Sequence, residues 1–276
     1  WQVTHQNKYD VIIDMRSTIR TLFFSLFSLK TPFRIGRIKG YTRLLLNYRT
    51  DTYSNSLTTD MVERNLLLAA PLEKIKPIQY TKEFRLYLTD QEKKDFRYYM
   101  EKEGIDFARP VFLIGVTTKL LHKKWNTEFM ITTLKRILEE YKDIQMIFNY
   151  APGYEEEDAR NIYKELGCPE RIKIDIQASS LRQLAALCAN CSFYFGNEGG
   201  ARHIAQALEI PSFAIYSPSA YKSMWLPTNS VLARGISPDD ILPPEQQATL
   251  TYEERFALIT PEKVYNQLTS TLRQLG

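Results

Sequence analysis

The pattern of apolar positions changes character at about residue 110. From there on, short apolar runs alternate with stretches of helical spacing. "RPVFLIGV" reads as a strand, and "NTEFMITTLKRILEEYK" as a helix opened by Asn126 as N-cap. "IQMIFNY" is a second strand, followed by the helix "YEEEDARNIYKELG", which Gly167 closes. "RIKIDI", the helix "SSLRQLAALCAN", "SFYFG", the helix "ARHIAQAL" and "SFAIYSP" continue the alternation. The chain ends in the helix "TPEKVYNQLTSTLRQL", with Thr260 as cap and Pro261 in its first turn. Strands alternating with helices predict a parallel sheet covered on both faces.

The first hundred residues carry a weaker pattern. A strand is expected at Val11–Ile13, then a helix over residues 17–29 that stops before Pro32. That helix is apolar nearly all round, so it is read as packed on a sheet, with a lipid-touching surface as the alternative. "RIGRIKGYTRLLLNYR" is basic, with tyrosines interleaved. It is read as solvated loop and short strand, with contact to a phosphorylated acceptor as the alternative. A helix near Thr59 to Leu68 carries Met61, Leu66 and Leu67, and "PLEKIKPIQY" reads as a linker. One strand and two or three helices do not close a sheet, so further strands are expected from upstream or from a partner.

Length and charge narrow this picture. A chain of 276 residues suits about two domains. No apolar stretch is long enough to span a membrane, and no secretory signal precedes Trp1. A fragment, or numbering from an internal point, is expected. Three cysteines do not make a disulfide framework, so a reducing compartment fits. A net charge of +4 suits weak attraction to phosphate or anionic lipid, and no lysine block demands nucleic acid.

Ligands of such sheets bind at the carboxyl ends of the strands, here the loops after Gly115, Tyr150, Ile176 and Gly196. The first holds "TTKLLHKKW", with Thr117, Thr118, His122 and three lysines. Hydroxyls and ammonium groups suit phosphate; a solvated basic loop is the bland reading. After Gly196 comes "NEGGAR", where glycines allow close approach of an anion and the amides of the next helix point at it. Arg202 and His203 add donors; the bland reading is a tight turn with a core histidine. Together the loops describe a pocket for a diphosphate. Cys188 and Cys191 form a C-x-x-C without a second pair, which argues against zinc or redox chemistry. The acids Glu155 to Asp158 are read as structural at a helix N-terminus. No P-loop, G-x-G-x-x-G or G-x-S-x-G is present.

"FGNEGGARHIAQALEIPSFAIYSP" resembles the heptosyltransferases, glycosyltransferase family nine. Gly196, Glu198, Gly199, Gly200, His203, Ile204, Ala205, Ala207, Leu208, Pro211 and Pro218 fall on the family signature. Two positions depart from it: Glu198 stands for an aspartate and Gly199 for a serine or threonine, a loss for which Arg202 could compensate. "TTKLLHKKWNTEFM" is similar to the family's loop and helix start. It places Lys123 on the phosphate-binding lysine, which Lys124 or Lys119 could replace, and Trp125 on the aromatic. "SSLRQLAALCANCSFYFGNEGG", "YDVIIDMRSTIRTLFFSLF" and "MVERNLLLAAPL" extend the resemblance to nearly the whole chain.

The resemblance implies an α/β fold, the GT-B arrangement of two Rossmann-like domains, with the first domain lacking its opening strands. Residues 1–107 are then the remainder of an acceptor-side domain plus linker. Residues 108–260 form a nucleotide-sugar domain, and 261–276 a helix crossing back to the first. It also implies an inverting glycosyltransferase with no bound metal or other cofactor. Its donor is a nucleotide-diphosphate sugar, ADP-heptose favoured, and its acceptor a lipid-linked oligosaccharide such as the lipopolysaccharide core. A cytoplasmic location follows, with peripheral contact to an anionic membrane at its inner face. Lys123 stabilises the leaving group. Thr117, Thr118, Ser179, Leu181, Asn197, Glu198, Gly199, Gly200, Arg202 and His203 join it in donor binding, and the general base is expected upstream of Trp1. A catalytically silent nucleotide-sugar-binding scaffold is the alternative.

Overall fold

The computed structural model describes residues 8–52, 60–226 and 230–275. The chain divides into two compact units, Trp1–Glu83 with Ser223–Trp225, and Phe84–Lys222 with Leu226–Gly276.

The first unit opens with β1 (Val11–Asp14), α1 (Ile19–Leu26), β2 (Phe33–Arg37) and β3 (Tyr48–Thr50). It continues with α2 (Met61–Leu66), which runs into a 3-10 stretch, Leu67–Lys74. The Asp14 carboxylate fixes the turn between β1 and α1. It accepts from the Ser17 amide at 2.7 Å, the Arg16 amide at 3.1 Å and the Thr21 hydroxyl at 2.7 Å. Thr18 then caps α1, its side chain accepting from the Thr21 amide. Leu22, Ile35, Leu46 and Leu68 are buried, whereas Ile19, Phe23, Phe24, Leu26 and Phe27 of α1 and its C-cap stand exposed. The expected start of the next helix, Thr59, lies outside the described residues.

The expectation of one strand at Val11–Ile13, with loop and a short strand in the basic stretch, is corrected. The unit holds a three-stranded parallel sheet, β1-β2-β3. The second and third strands, "FRIGR" and "YRT", blur in the sequence because their arginines look like solvated loop. Arg34 and Arg37 of β2 are internal fittings instead, while Arg49 of β3 is exposed. Arg34 donates to the carbonyls of Leu45 (2.9 Å), Leu29 (2.9 Å) and Thr31 (2.6 Å). Arg37, 5% exposed, donates to Met15 O, Thr52 Oγ1 and Asn65 Oδ1.

The second unit contains α3 (Asp90–Lys102), β4 (Val111–Gly115), α4 (Thr127–Glu140), β5 (Gln145–Phe148), α5 (Tyr154–Glu165) and β6 (Ile172–Lys173). Then come α6 (Leu181–Ala189), β7 (Phe193–Asn197), α7 (Gly200–Ala207), β8 (Ser212–Ile215) and the single turn α8 (Lys222–Trp225), which spans the division. Last are β9 (Ala233–Ile236), α9 (Tyr252–Ala257) and α10 (Pro261–Leu275). Six parallel strands lie in the order β6-β5-β4-β7-β8-β9, the parallel sheet that the alternation predicts.

Period two sends alternate residues to opposite faces, and both faces are dry. Phe112, Ile114, Phe148, Phe193 and Phe195 meet Leu134 and Ile137 of α4, Ile162 of α5, and Val264 and Leu268 of α10. Leu113, Ile147 and Tyr194 meet Phe96 and Met100 of α3, Leu187 of α6, and Ala201 and Ala205 of α7.

Three expectations change. The division falls at residue 83 rather than 107, because α3, which lies within the expected first segment, buries Phe96 and Met100 in this unit's core. Arg182 of α6 also grips Glu92 of α3 with two bonds, at 2.5 and 2.9 Å. The terminal helix α10, expected to cross back, belongs to the second unit. Its Tyr265 hydroxyl donates to Glu140, and Arg136 lies 3.7 Å over the Tyr265 ring. Finally, β9 was not expected, and "RIKIDI" shortens to Ile172–Lys173. No helix among the described residues is long and apolar enough to cross a membrane.

Candidate functional site at the carboxyl end of the six-stranded sheet

β4 and β7 are neighbours, with Gly115 opposite Gly196. Both glycines serve this close packing rather than a ligand. Gly196 has φ +141°, and a Cβ there would fall 2.4 Å from the Gly115 carbonyl oxygen. A Cβ on Gly115 would fall 2.1 Å from the Tyr194 hydroxyl, which donates to Asn197 O at 2.7 Å.

Asn197 follows at the strand end and is 2% exposed. Its Oδ1 accepts from the Trp125 amide at 2.7 Å. Its Nδ2 donates to the carbonyls of Gly115 (3.0 Å) and Val116 (3.2 Å). The side chain therefore clips the loop after β4 onto β7, and it is spent on backbone rather than offered to a ligand. Trp125 anchors the same loop from within the core, its indole N–H donating to Ile259 O at 2.9 Å.

This clamp sets the charged group. Lys123 ends a short 3-10 turn, Leu121–Lys123, and its Nζ reaches Glu198 Oε2 at 3.0 Å. The Glu198 side chain is 6% exposed, that of Lys123 23%. His203 Nε2 stands 3.7 Å from Glu198 Oε1. Burial pushes the Glu198 carboxyl up, but His203 and Lys123 outweigh it and hold the group below its ordinary value of 4.5. The longer side chain at this position is what meets Lys123 in the structure.

Above this pair the N-terminus of α7 is open. Gly199 is its N-cap in extended backbone, and no side chain caps the helix. Nothing lies within 4 Å of where a Cβ would sit on Gly199 or Gly200. Uncapped amides, the positive end of the helix dipole and the Lys123 ammonium converge on one opening, an arrangement suited to an anion.

The remaining expected residues divide. Thr117 is buried and donates to Glu155 Oε2 at 3.1 Å. Glu155, read from sequence as a structural helix-start acid, is 8% exposed and belongs to this strand-end cluster. Its position in the first turn of the helix that follows β5 was the available signal. The Thr118 carbonyl accepts from the Tyr154 hydroxyl at 3.1 Å. Lys124 turns away, onto Asp158 at 2.8 Å, whereas Lys123 meets Glu198. Ser179 opens onto α6, where its hydroxyl and amide both donate to Gln183 Oε1, and Leu181 is 76% exposed. Arg202 is fully buried, bonded to Gln206 and His203. It is not presented to the opening, which corrects its expected role as a direct donor. Cys188 and Cys191 pack in the core, where burial pushes the Cys188 thiol up to about 12. Among the described residues, no group of three or more His, Cys, Asp or Glu is placed to hold a metal ion.

The family model described as glycosyltransferase family 9 (heptosyltransferase) matches residues 1–235. Among curated proteins, none matches the sequence of this chain. Solved structures share the fold. The ADP-heptose lps heptosyltransferase II of E. coli superposes with a TM-score of 0.70 at 19% identity, over 99% of this chain and 79% of that one. A family 9 glycosyl transferase from Veillonella parvula gives 0.74 at 15% identity, over 99% and 76%. The E. coli heptosyltransferase WaaC with ADP-2-deoxy-2-fluoro heptose gives 0.60 at 14%, over 98% and 74%.

Proposed function

The chain belongs to glycosyltransferase family 9 (heptosyltransferase), and from that premise we propose that the strand-end opening takes the diphosphate of a nucleotide-sugar donor, ADP-heptose first among them. The acceptor is the lipopolysaccharide core or a related lipid-linked envelope glycan. The observation that carries this reading is the Lys123 ammonium beside the uncapped N-terminus of α7, in reach of Glu198.

An acceptor hydroxyl attacks the anomeric carbon from the face opposite the diphosphate, inverting it. A new C–O bond forms as the bond to the leaving phosphate breaks, and a general base takes the hydroxyl proton. Negative charge grows on the departing diphosphate. Lys123 and the α7 amides meet that charge, in the place a metal ion would otherwise fill. Asp14 is not that base: its carboxylate is spent on the turn into α1.

A cytoplasmic protein resting on the inner face of the membrane fits the acceptor. The support is the exposed Phe23 and Phe24 of α1 and Phe27 at its C-cap, near Arg20 and Lys30, with no acid in that helix. Loss of binding to anionic vesicles in Phe24→Glu tests this part.

The transfer itself is tested by ADP release from ADP-heptose with a deep-rough core acceptor, using full-length protein. Release by wild type and its loss in Lys123→Ala support the reading. Nucleotide binding without release from any nucleotide-sugar supports the scaffold instead.

A further inference from the structure

The loop that carries Lys123 has no apolar anchor at its crest. Lys119, Leu120, Leu121 and His122 are all exposed, and the buried Trp125 comes two residues after Lys123. The crest is held by hydrogen bonds to its carbonyls. On one flank the Tyr154 hydroxyl donates to Thr118 O at 3.1 Å. On the other, next to Lys123 itself, the Tyr252 hydroxyl donates to His122 O at 2.6 Å. The Tyr252 ring also meets the His122 ring edge-on, with 6.4 Å between centroids. Tyr252 is itself firmly placed. It is the first residue of α9, which Thr251 caps in a capping box with Glu254. Its ring lies edge-on to Phe256 at 6.3 Å, and Phe256 packs against the core. Just beyond α9, the Ile259 carbonyl accepts from the Trp125 indole at 2.9 Å. Residues 252–259 therefore grip the run from His122 to Trp125 at both ends, and Lys123 lies between the two bonds. A phenol has one proton. It goes to the His122 carbonyl, so Ser219, whose Oγ is 3.3 Å from the Tyr252 oxygen, donates to Tyr252 and accepts from Ser217 at 3.0 Å. The loop after β8 thereby steadies the same tyrosine.

We infer that Tyr252 is a positioning residue: its hydroxyl fixes the His122 carbonyl, and through it the turn that delivers the Lys123 ammonium to Glu198 and the start of α7. The functional half of this inference rests on the diphosphate reading given above. With the carbonyl released, the turn keeps its internal bonds, Lys123 N to Leu120 O at 2.7 Å and Lys124 N to Leu121 O at 3.0 Å, but moves as a unit. Lys123 then spends part of its time away from the opening. A cation that has to be gathered in when the anion binds costs affinity, and a cation already in place does not.

Tyr252→Phe removes the hydroxyl and keeps both ring contacts, so it is expected to melt close to wild type. Titration calorimetry of ADP with full-length protein is expected to show binding about two- to tenfold weaker, the range of one neutral hydrogen bond. Added to Lys123→Ala, the same change is expected to cost nothing further, because its effect passes through Lys123. Tyr265→Phe, which removes a phenol on α10 that donates to Glu140, is the control and is expected to bind ADP as wild type does. Unchanged affinity in Tyr252→Phe, or losses that add in the double variant, overturns the inference. A second readout needs no nucleotide: the carbon NMR titration of the Glu198 carboxyl, assigned with Glu198→Gln. In Tyr252→Phe it is expected to rise toward the ordinary 4.5 as Lys123 leaves it. A Glu198 titration that does not move removes Tyr252 from the role. A titration that moves, in a protein whose wild type binds no ADP, leaves the positioning intact and sinks the diphosphate reading.

Discussion

In the three-stranded sheet, Arg34 turns its guanidinium onto the carbonyls that end neighbouring loops, and Arg37 lies buried among Met15, Thr52 and Asn65. In the six-stranded sheet, Lys123 is carried past a strand end and meets a carboxylate at the mouth of an uncapped helix. Both segments look equally basic in sequence. The difference is where the backbone delivers the charge. An arginine inside a strand spends its donors on local carbonyls, and it works as a cross-brace. A lysine on a strand-end loop pairs with another titratable group, here beside a helix start that no side chain caps.

The largest effect should separate the glycines of the two sheets. Gly196→Ala places a Cβ 2.4 Å from a backbone oxygen at φ +141°, and the backbone of β4 cannot step aside. It should cost about 2–6 kcal/mol, overpacking plus strain. Gly36→Ala meets Leu46 Cδ1 at 2.5 Å and Ser17 Oγ at 2.6 Å, both side-chain atoms. It should cost about 1–3 kcal/mol. Urea unfolding of both variants checks this, and equal costs would erase the contrast.

Next in size is the exchange of braces for working charges. Lys123→Ala should lower kcat about 10²–10³-fold, or ~2.7–4 kcal/mol in the transition state. It should also cost about 1–3 kcal/mol of stability, because the buried Glu198 keeps only His203. Arg34→Ala should cost about 1–2 kcal/mol of stability and leave kcat as it was. Steady-state kinetics together with melting curves distinguish the two patterns.

A smaller effect is one of pH. The Glu198 carboxyl lies below its ordinary 4.5 in the fold. The charged form therefore contributes stability above that value, and the contribution is lost as pH falls through the lowered one. Wild type should outlast Glu198→Gln at neutral pH and lose that margin in acid below 4.5. In a Lys123→Ala background the margin should shrink. The cost of Arg34→Ala, whose partners are carbonyls, should show no such dependence. Unfolding curves across that range decide it.

The smallest effect is expected at Arg182. Its two bonds hold Glu92 down near 2, yet both side chains are solvent-facing. Water already screens such a pair. Arg182→Ala should leave the melting temperature close to wild type, since Phe96 and Met100 hold α3 in place.

These contrasts show which parts of the molecule were legible in the sequence. Strands such as "VFLIG" and the "FYFG" of β7 carry no charged side chain because both sheet faces are dry, and their helices carry caps at Asn126 and Ser180. Lys123, Glu198 and His203 were readable because they fall at strand ends and on a known spacing. The bounds of the short strands β2 and β3 were not, because Arg34 and Arg37, which brace the sheet, look in sequence like arginines in solvent. Helix α3 carries so many charges on its outer face that Phe96 and Met100 did not mark it. The parts played by Asn197 and Arg202 were hidden for a different reason. Residue type announces a donor, but only the fold says whether a ligand or the backbone receives it. Glu155 was passed over because an acid at a helix start has a sufficient local explanation.

The central claim is that the Lys123 opening, and not the basic stretch of the first sheet, receives the donor's diphosphate. Titration calorimetry of ADP against full-length wild type, Lys123→Ala and Arg34→Ala tests it most directly. The account predicts equal affinity for wild type and Arg34→Ala, and affinity at least about tenfold weaker for Lys123→Ala, the loss of one charged hydrogen bond. Unchanged affinity in Lys123→Ala, or an equal loss in Arg34→Ala, would contradict it.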